Sequence, residues 1–363
     1  MEASAIDDGI LASFADTVQR FADERLTLDR WRELSASAVG FSRDDWHEMA
    51  LLGWHALPLD PEHSGFGGGA IGVAIIMEAA GRGLMLEPYL ASVILSGSLL
   101  GQCADPAAKS DMLPRIASGE TVFALAHLDG SSVVMAKLDG ADWRLSGEKL
   151  FVLGGDVAQR LLVTAATPDG LALFLVEANA QGFSRTPFAL LDGRRAADLQ
   201  LDGVTAKRLQ MADVAASLSR IVCLGTIAIC CEALGVMTAL NQTTLEYVKT
   251  RKQFGMPIGK FQALQHRLVD MHVIEQEARA IVRAAISAYD GNHSGTELLT
   301  SAAKLRVNAA AQLVSEGAVQ LHGGIGVTDE LIVGHYFKRL ATIRSMFGDS
   351  YHHAERLSIL AAL

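Results

Sequence analysis

The hydrophobic positions in the first third of the chain follow the spacing of amphipathic helices. Ile10, Phe14, Val18 and Phe21 recur every three or four residues, which places them on one face of a helix. Similar helical spacing recurs until the pattern of apolar residues changes at about residue 118. We therefore predict an all-helical N-terminal domain over residues 1–117.

The pattern changes in the middle third, where short apolar runs replace the helical spacing. Residues 161–164 and 172–176 are two such runs, and turn residues lie between them. Asp139-Gly140 and Asp169-Gly170 are dipeptides typical of two-residue hairpin turns. This pattern predicts a small antiparallel β domain over residues 118–211.

Long helical patterns return from residue 212 to residue 363 and indicate a four-helix bundle. The predicted fold class is therefore α+β, with a helical domain, a β domain and a bundle in chain order. The four predicted helices cover residues 213–250, 261–290, 297–320 and 329–342.

Ile221–Leu240 is apolar and about long enough to span a bilayer. It contains Glu232 and several glycines and threonines, and it runs on into a polar stretch. We therefore predict a buried helix of the bundle and no integral membrane segment.

Composition and charge narrow the class of protein. Half of the 363 residues are hydrophobic and the formal net charge is -10, which disfavours nucleic acid as a partner. The four cysteines show neither a disulfide framework nor metal-ligand spacing, so we predict no metal site. Met1-Glu2-Ala3-Ser4 does not open an export signal, and we expect a cytoplasmic protein.

The stretch from Arg251 to His266 is the most informative part of the chain. It places an arginine at the end of one long helix, a glycine-rich break, and then aromatic and amide side chains at the start of the next helix. Arginine offers a bidentate grip on a phosphate, and Phe254 and Phe261 could cover an aromatic ring. On spacing alone, a helix hairpin with ordinary surface charges is the favoured explanation of the stretch.

This stretch, together with Gln320-Leu321-His322-Gly323-Gly324-Ile325-Gly326-Val327-Thr328, resembles the C-terminal signature of the acyl-CoA dehydrogenase family. The resemblance extends over roughly residues 20–356. It implies α,β-dehydrogenation of an acyl-CoA thioester, with FAD as the hydride acceptor and a glutamate as the base.

The resemblance also implies which residues bind the cofactor. The arginine matching Arg251 grips the pyrophosphate of a neighbouring subunit's FAD, and the paired glycines let the adenosine part approach closely. Without the family, a plain helix-terminating turn would explain the glycines, and capping or surface roles would explain the histidines near the C-terminus. The candidate cofactor-binding residues are Arg251, Phe254, Gln262, Gln320, Gly323, Gly324, Ser350 and His352.

The usual catalytic glutamate is missing from its expected place. The family carries it in a Tyr-Glu-Gly-Thr stretch, and Gly348 stands at that position here. Some relatives place the base early in the first bundle helix, where an ungapped count puts Gly225. The candidate substitutes are Asp349, one residue past the vacant position, and Glu232, seven residues beyond Gly225.

Two segments of the β domain also depart from the family pattern. The loop that touches flavin and acyl-CoA, residues 126–134, looks shortened and lacks the usual polar order. The strand against the flavin reads Phe151-Val152-Leu153, which keeps the aromatic residue and loses the hydroxyl.

Residues 334–339 and 347–353 resemble a bacterial branch of the family that includes the small subunit of pimeloyl-CoA dehydrogenase and subunits of steroid side-chain dehydrogenases. Members of this branch pair with a different acyl-CoA dehydrogenase subunit in heterotetramers. We therefore expect a subunit that lacks its own base, associates with itself and with a second subunit, and helps to complete that subunit's FAD site. The alternatives are a self-sufficient enzyme that uses Asp349 or Glu232, and a structural pseudoenzyme that binds no flavin.

Overall fold

The computed structural model describes residues 8–362. Met1-Glu2-Ala3-Ser4, on which the expectation of no export signal rests, lies outside the described residues. The predicted N-terminal helices are present, with a π-helical segment at Leu90–Gly97 and a 3-10 turn at Pro61–His63. The helices are α1 Asp8–Arg25, α2 Leu28–Ala36, α3 Arg43–Leu51, α4 Gly69–Arg82, α5 Ser98–Gly101 and α6 Pro106–Ala117.

Side-chain caps define where several of these helices begin. Ser42 accepts a hydrogen bond from the backbone N–H of Asp45 at the start of α3. Asp105 accepts from two backbone N–H groups at the start of α6, where Pro106 occupies the first helical position. Both arrangements satisfy amides that a helix N-terminus leaves without partners.

Seven strands form one sheet in the middle third, in the order β1-β4-β2-β3-β7-β5, with β6 on β7 and a further pairing of β4 with β5. The pairings close β4, β2, β3, β7 and β5 into a ring around an apolar core. Both predicted hairpins are confirmed, because β2 turns into β3 at Gly140 and β4 turns into β5 just before Gly170. The strands are β1 Phe123–Ala126, β2 Met135–Asp139, β3 Asp142–Leu153, β4 Arg160–Thr167, β5 Gly170–Glu177, β6 Phe183–Ala189 and β7 Arg195–Leu209.

The sheet is not antiparallel throughout, which corrects part of the prediction. β1 pairs with β4 in parallel, with Phe123 opposite Arg160, and β2 meets β4 in parallel at Met135. The other pairings are antiparallel. Hairpin signals specify only strands that are neighbours in sequence, whereas β1 and β4 are separated by an entire hairpin.

The four predicted bundle helices are confirmed to within a few residues, and a fifth follows them. The fifth helix, α11, was not predicted because only His353 in it is buried, so its apolar periodicity is weak. The bundle helices are α7 Val214–Thr250, α8 Gln262–Asp290, α9 Thr296–His322, α10 Ile332–Ser345 and α11 Ser350–Leu360.

α7 contains the apolar stretch that could be mistaken for a membrane span. Among the described residues it is the single helix long and apolar enough to cross a bilayer, and 89% of its most apolar window is buried inside the protein. Burial on that scale agrees with the predicted core helix.

Two compact units make up the described chain. One comprises Leu34–Gly69 and Leu86–Gly225 and contains the β sheet. The other comprises Gly9–Glu33, Ala70–Met85 and residues 226–362, and it holds every candidate site residue except Gly225. The bounds of the three predicted domains stay predictions.

Candidate functional site

A short hairpin follows α7 and carries the predicted phosphate-binding arginine at its base. β8 Lys252–Gln253 pairs with β9 Met256–Pro257, and the turn residues Phe254 and Gly255 have φ values of 53° and 80°. Two successive positive φ values match the twist of a tight hairpin. The turn leaves the Phe254 side chain 87% exposed, with the ring of Phe261 at 6.0 Å.

The guanidinium of Arg251 is exposed and makes no hydrogen bond or ion pair within residues 8–362. Its backbone is fixed at both ends, because its N–H donates to Tyr247 O over 2.8 Å and its carbonyl accepts from Ile258 N over 2.8 Å. The described part of the chain therefore fixes the backbone that carries this cation and leaves the guanidinium without a counter-charge. Such a group suits an anion supplied from outside the chain.

Tyr247 and His322 join the end of α7 to the end of α9. Their rings stack at 4.3 Å and 26°, and the Tyr247 hydroxyl donates to the His322 carbonyl over 3.4 Å. His322 Nδ1 lies 2.9 Å from Ala318 O, and burial lowers the pKa of His322, which favours the neutral ring. The stack brings the Arg251 segment close to the paired glycines after α9. Neither ring was predicted to belong to the site.

The paired glycines after α9 differ from each other. Gly323 is the C-cap of α9 and has φ 67°, so a helix-terminating turn accounts for it. Gly324 has no such backbone requirement. A Cβ built on either glycine would meet nothing within 4 Å among the described residues. The packing of this part of the chain therefore does not explain Gly324, and the space beside it is open.

Gln262 and Gln320 are both exposed and lie on neighbouring helices. Gln262 is the first residue of α8 and Gln320 lies in the last turn of α9. An open groove between the helices is lined by Ala263, His266, Arg267, Asp270, Leu313, Glu316, Gly317 and Gln320. The structure thus places the six candidate residues of the two signature blocks where α7 ends, α8 begins and α9 ends. These residues are Arg251, Phe254, Gln262, Gln320, Gly323 and Gly324.

Glu232 is a buried partner of Arg339. The two side chains are 2% and 1% exposed and form an ion pair, and Arg339 also donates to the carbonyls of Leu84 and Met85. A buried pair supported by further hydrogen bonds holds a structural position. The carboxylate of Glu232 is therefore engaged by a cation rather than aimed at a site.

Close helix packing around Glu232 adds to this structural role. A Cβ on Gly81 of α4 would collide with the carbonyl of Glu232, and a Cβ on Gly235 of α7 would collide with the carbonyl of Glu78. The two glycines therefore let α4 and α7 approach until backbone meets backbone.

Asp349 is the N-cap of α11. Its Oδ1 accepts a hydrogen bond from the backbone N–H of His352 over 2.9 Å. That bond lowers the pKa of Asp349, so the group is ionised and committed to the cap. Gly225, the alternative base position, is a buried residue of α7.

Ser350 and His352 lie in the first turn of α11. The Ser350 hydroxyl lies 3.4 Å from Asn308 Nδ2, while His352 is exposed and packs edge-on against His353 at 5.0 Å between ring centroids. His353 is buried, with Nε2 lying 3.0 Å from Phe347 O, and burial lowers its pKa to about 4.

The loop over residues 126–134 of the β domain is held by a buried lysine. Asp129 Oδ1 accepts from Lys149 Nζ over 2.7 Å and from Val134 N over 2.9 Å. Lys149 is fully buried and also donates to Thr164 over 3.0 Å. Sequence analysis missed this clamp, since Lys149 and Asp129 lie 20 residues apart.

Phe151 occupies a bulge on β3. Two residues, Leu150 and Phe151, stand opposite Asp198 of β7, and Phe151 has φ 51°. Asp198 Oδ1 accepts from the Phe151 N–H over 2.9 Å, which satisfies the amide that the bulge removes from the ladder. The retained aromatic ring is thereby held partly exposed beside Phe188.

Two domain models of one protein family match the two helical parts of the chain. Residues 11–120 match the sequence model "Acyl-CoA dehydrogenase, N-terminal domain", and residues 221–358 match "Acyl-CoA dehydrogenase, C-terminal domain". Acyl-CoA dehydrogenase FadE27 of Mycobacterium tuberculosis is 30% identical over 340 residues, which cover 90% of this chain and 89% of the relative. Acyl-CoA dehydrogenase IpdE2 of the same organism is 32% identical over 312 residues, covering 85% and 83%.

Two solved structures extend the likeness to the fold as a whole. The ChsE4-ChsE5 complex from Mycobacterium tuberculosis aligns with a TM-score of 0.91 and 26% identity, covering 100% of this chain and 99% of the other. A variant of the Tcur3481-Tcur3483 steroid ACAD aligns with a TM-score of 0.89 and 28% identity, covering 98% of each.

Proposed function

Because the chain belongs to the acyl-CoA dehydrogenase family, we propose that it is a subunit of an FAD-dependent acyl-CoA dehydrogenase that works with a partner subunit. The observation that carries this proposal is the group of exposed signature residues at the ends of α7, α8 and α9. This group contains the exposed guanidinium of Arg251, whose backbone is fixed by two hydrogen bonds, and open space beside Gly324. Within residues 8–362 no side chain pairs with the guanidinium and no atom fills the space.

The residues present fit FAD bound against this group. Arg251 would hold the pyrophosphate, since its planar guanidinium matches two phosphate oxygens. Gly324 leaves room for the adenosine part, and Phe254 offers an aromatic face. Gln262, Gln320, Ser350 and His352 are the polar side chains proposed around it. When bound, FAD would accept the hydride that leaves the β carbon of the acyl thioester.

The α proton of the substrate needs a base, and we propose that the partner subunit supplies it. Gly348 stands where the family's glutamate belongs, and Gly225 stands at the alternative position. Both candidate substitutes have other partners: Asp349 caps α11 and Glu232 pairs with Arg339. A chain without a positioned base forgoes the roughly 10²- to 10⁴-fold acceleration that general-base catalysis gives.

The relatives support a heteromeric assembly. The names of two aligned structures each join two components, ChsE4 with ChsE5 and Tcur3481 with Tcur3483. We infer a second acyl-CoA dehydrogenase subunit as the partner and a fatty or steroid acyl-CoA as the substrate class.

Purification of the chain alone and together with a co-expressed acyl-CoA dehydrogenase subunit that has the catalytic glutamate tests the proposal. We expect flavin absorbance and dye-coupled dehydrogenation of acyl-CoAs in the pair, and no dehydrogenation by the chain alone. Robust turnover by the chain alone would establish a self-sufficient enzyme. Loss of that turnover in D349N, or in E232Q protein shown to remain folded, would identify the base. A pair without flavin would establish the structural pseudoenzyme.

A further inference from the structure

The turn between α10 and α11 has an unusual backbone. α10 ends at Ser345 and α11 begins at Ser350, and the two residues in the middle of the turn, Phe347 and Gly348, have φ values of 53° and 102°. Residues with a Cβ rarely adopt a φ near the 102° of Gly348, and a residue forced into such a conformation loses of order 1–3 kcal/mol. The turn therefore depends on glycine at position 348.

The space beside Gly348 is already occupied. A Cβ at this position would collide with His352 Cδ2, and would lie 2.9 Å from His352 Cγ and 3.0 Å from His353 Nε2. Side chains in a helix lean toward its N-terminus, which is why a residue in the first turn of α11 reaches back over the preceding turn. The His352 ring can swing outward into solvent, whereas His353 is buried beside Phe347 O.

A buried brace keeps the turn in this conformation. Lys304 Nζ, fully buried on α9, donates to Asn308 Oδ1 over 2.8 Å and to the carbonyls of Ile343 and Arg344 at the end of α10. An ammonium group at these carbonyls acts as a cap for the C-terminus of α10. Asn308 Nδ2 in turn lies 3.4 Å from the hydroxyl of Ser350 at the start of α11.

We infer that the φ of 102° and the buried imidazole of His353 close position 348 to any side chain, and that the imidazole of His352 occupies the space where a catalytic carboxylate would begin. This inference deepens the proposed function and rests on it for the identity of the position. A single substitution at position 348 would then not restore the catalytic base. A glutamate at position 348 has to rebuild a turn that Lys304, Asn308 and His353 hold in place.

Thermal unfolding of three glycine variants tests the closure independently of the proposed function. G324A changes neither φ strain nor packing, because Gly324 has open space and no positive φ. G140A adds strain alone, since Gly140 has φ 63° and no neighbour within 4 Å among the residues described. G348A adds both strain and collision. We expect no shift of the unfolding midpoint for G324A, a small decrease for G140A and a clearly larger decrease for G348A.

An equal decrease for G348A and G140A would overturn the inference, because crowding at position 348 would then cost nothing. G348E in the assembled pair, with the partner's own base replaced by glutamine, gives the second measurement. We expect no acyl-CoA dehydrogenation, and turnover in this pair would also overturn the inference. If the unsubstituted pair lacks flavin, the proposed function fails while the glycine comparison still decides the closure.

Discussion

Gly324 and Gly348 are two glycines of the same helical unit whose surroundings are opposite. Beside Gly324 there is open space and no backbone strain, so the described part of the chain gives no reason for a glycine. Beside Gly348 there are two imidazole rings and a φ of 102°, so the chain itself requires a glycine. The difference separates a glycine that internal packing does not explain, Gly324, from a glycine that internal packing and backbone conformation require, Gly348.

The largest expected effect concerns Glu232, the other proposed substitute for the missing base. Replacing Glu232 by glutamine removes one charge of a buried ion pair, and breaking such a pair costs about 3–5 kcal/mol of unfolding free energy. Denaturant unfolding should show this loss, and E232L/R339M should recover most of it, since apolar side chains then replace both charges. An E232Q protein of unchanged stability whose pair loses all turnover would instead identify Glu232 as the base.

The next effect concerns the cation near Gly324. R251A should weaken FAD retention in the assembled pair by about 1.5–3 kcal/mol, because a charge-assisted hydrogen bond to phosphate is lost. Equilibrium dialysis of flavin measures the change. R283A is the matched control, an exposed arginine of α8 outside the signature blocks. Equal flavin retention in R251A and in the unsubstituted pair would contradict the assignment.

Filling the open space tests the Gly324 side of the comparison directly. G324L should leave the unfolding free energy of the isolated chain within about 0.5 kcal/mol, as for a surface substitution without neighbours. In the pair it should weaken FAD retention at least about tenfold, equivalent to about 1.4 kcal/mol. G295L controls for added apolar surface, because Gly295 is also exposed, has no positive φ and has no neighbour within 4 Å among the described residues. Flavin retention that survives G324L would mean that the space serves no cofactor.

The smallest effect is a pH dependence of the unfolding free energy that comes from His353, beside the turn between α10 and α11. Burial lowers the pKa of His353 from 6.5 to about 4, so between these values the unfolded chain binds more protons than the folded one. This histidine therefore contributes stability above pH 6.5 that is lost as the pH falls toward 4. Unfolding of H353Q at several pH values should show a shallower slope in this window, and an unchanged slope would contradict the burial.

The sequence predicted those parts of the fold that depend on local pattern. The helices α7 to α10 and the hairpins at Gly140 and Gly170 follow from spacing and turn chemistry. The parallel pairing of β1 did not, because no local signal links strands separated by a hairpin. α11 was missed since it buries little besides His353.

The candidate site was predictable for a different reason. Arg251 and the paired glycines belong to contiguous signature blocks, so a resemblance could locate them without geometry. The Lys149 clamp on Asp129, the Asp198 bond to Phe151 and the Lys304 brace join residues far apart in sequence. Their partners depend on tertiary contacts, which no spacing along the chain encodes.

The ring of strands in the middle of the chain limits how this protein can associate with another. Each of the five strands in the ring has a neighbour on both sides, although β2 and β4 meet only at Met135 and Ala166. Little of the ring is therefore left to pair with a strand from another molecule. The strands of this sheet outside the ring are β1, whose four residues are all buried, and β6, which contains Pro187. Addition of a partner's strand to this sheet is therefore disfavoured, and a partner that binds this sheet has to use side chains rather than backbone groups.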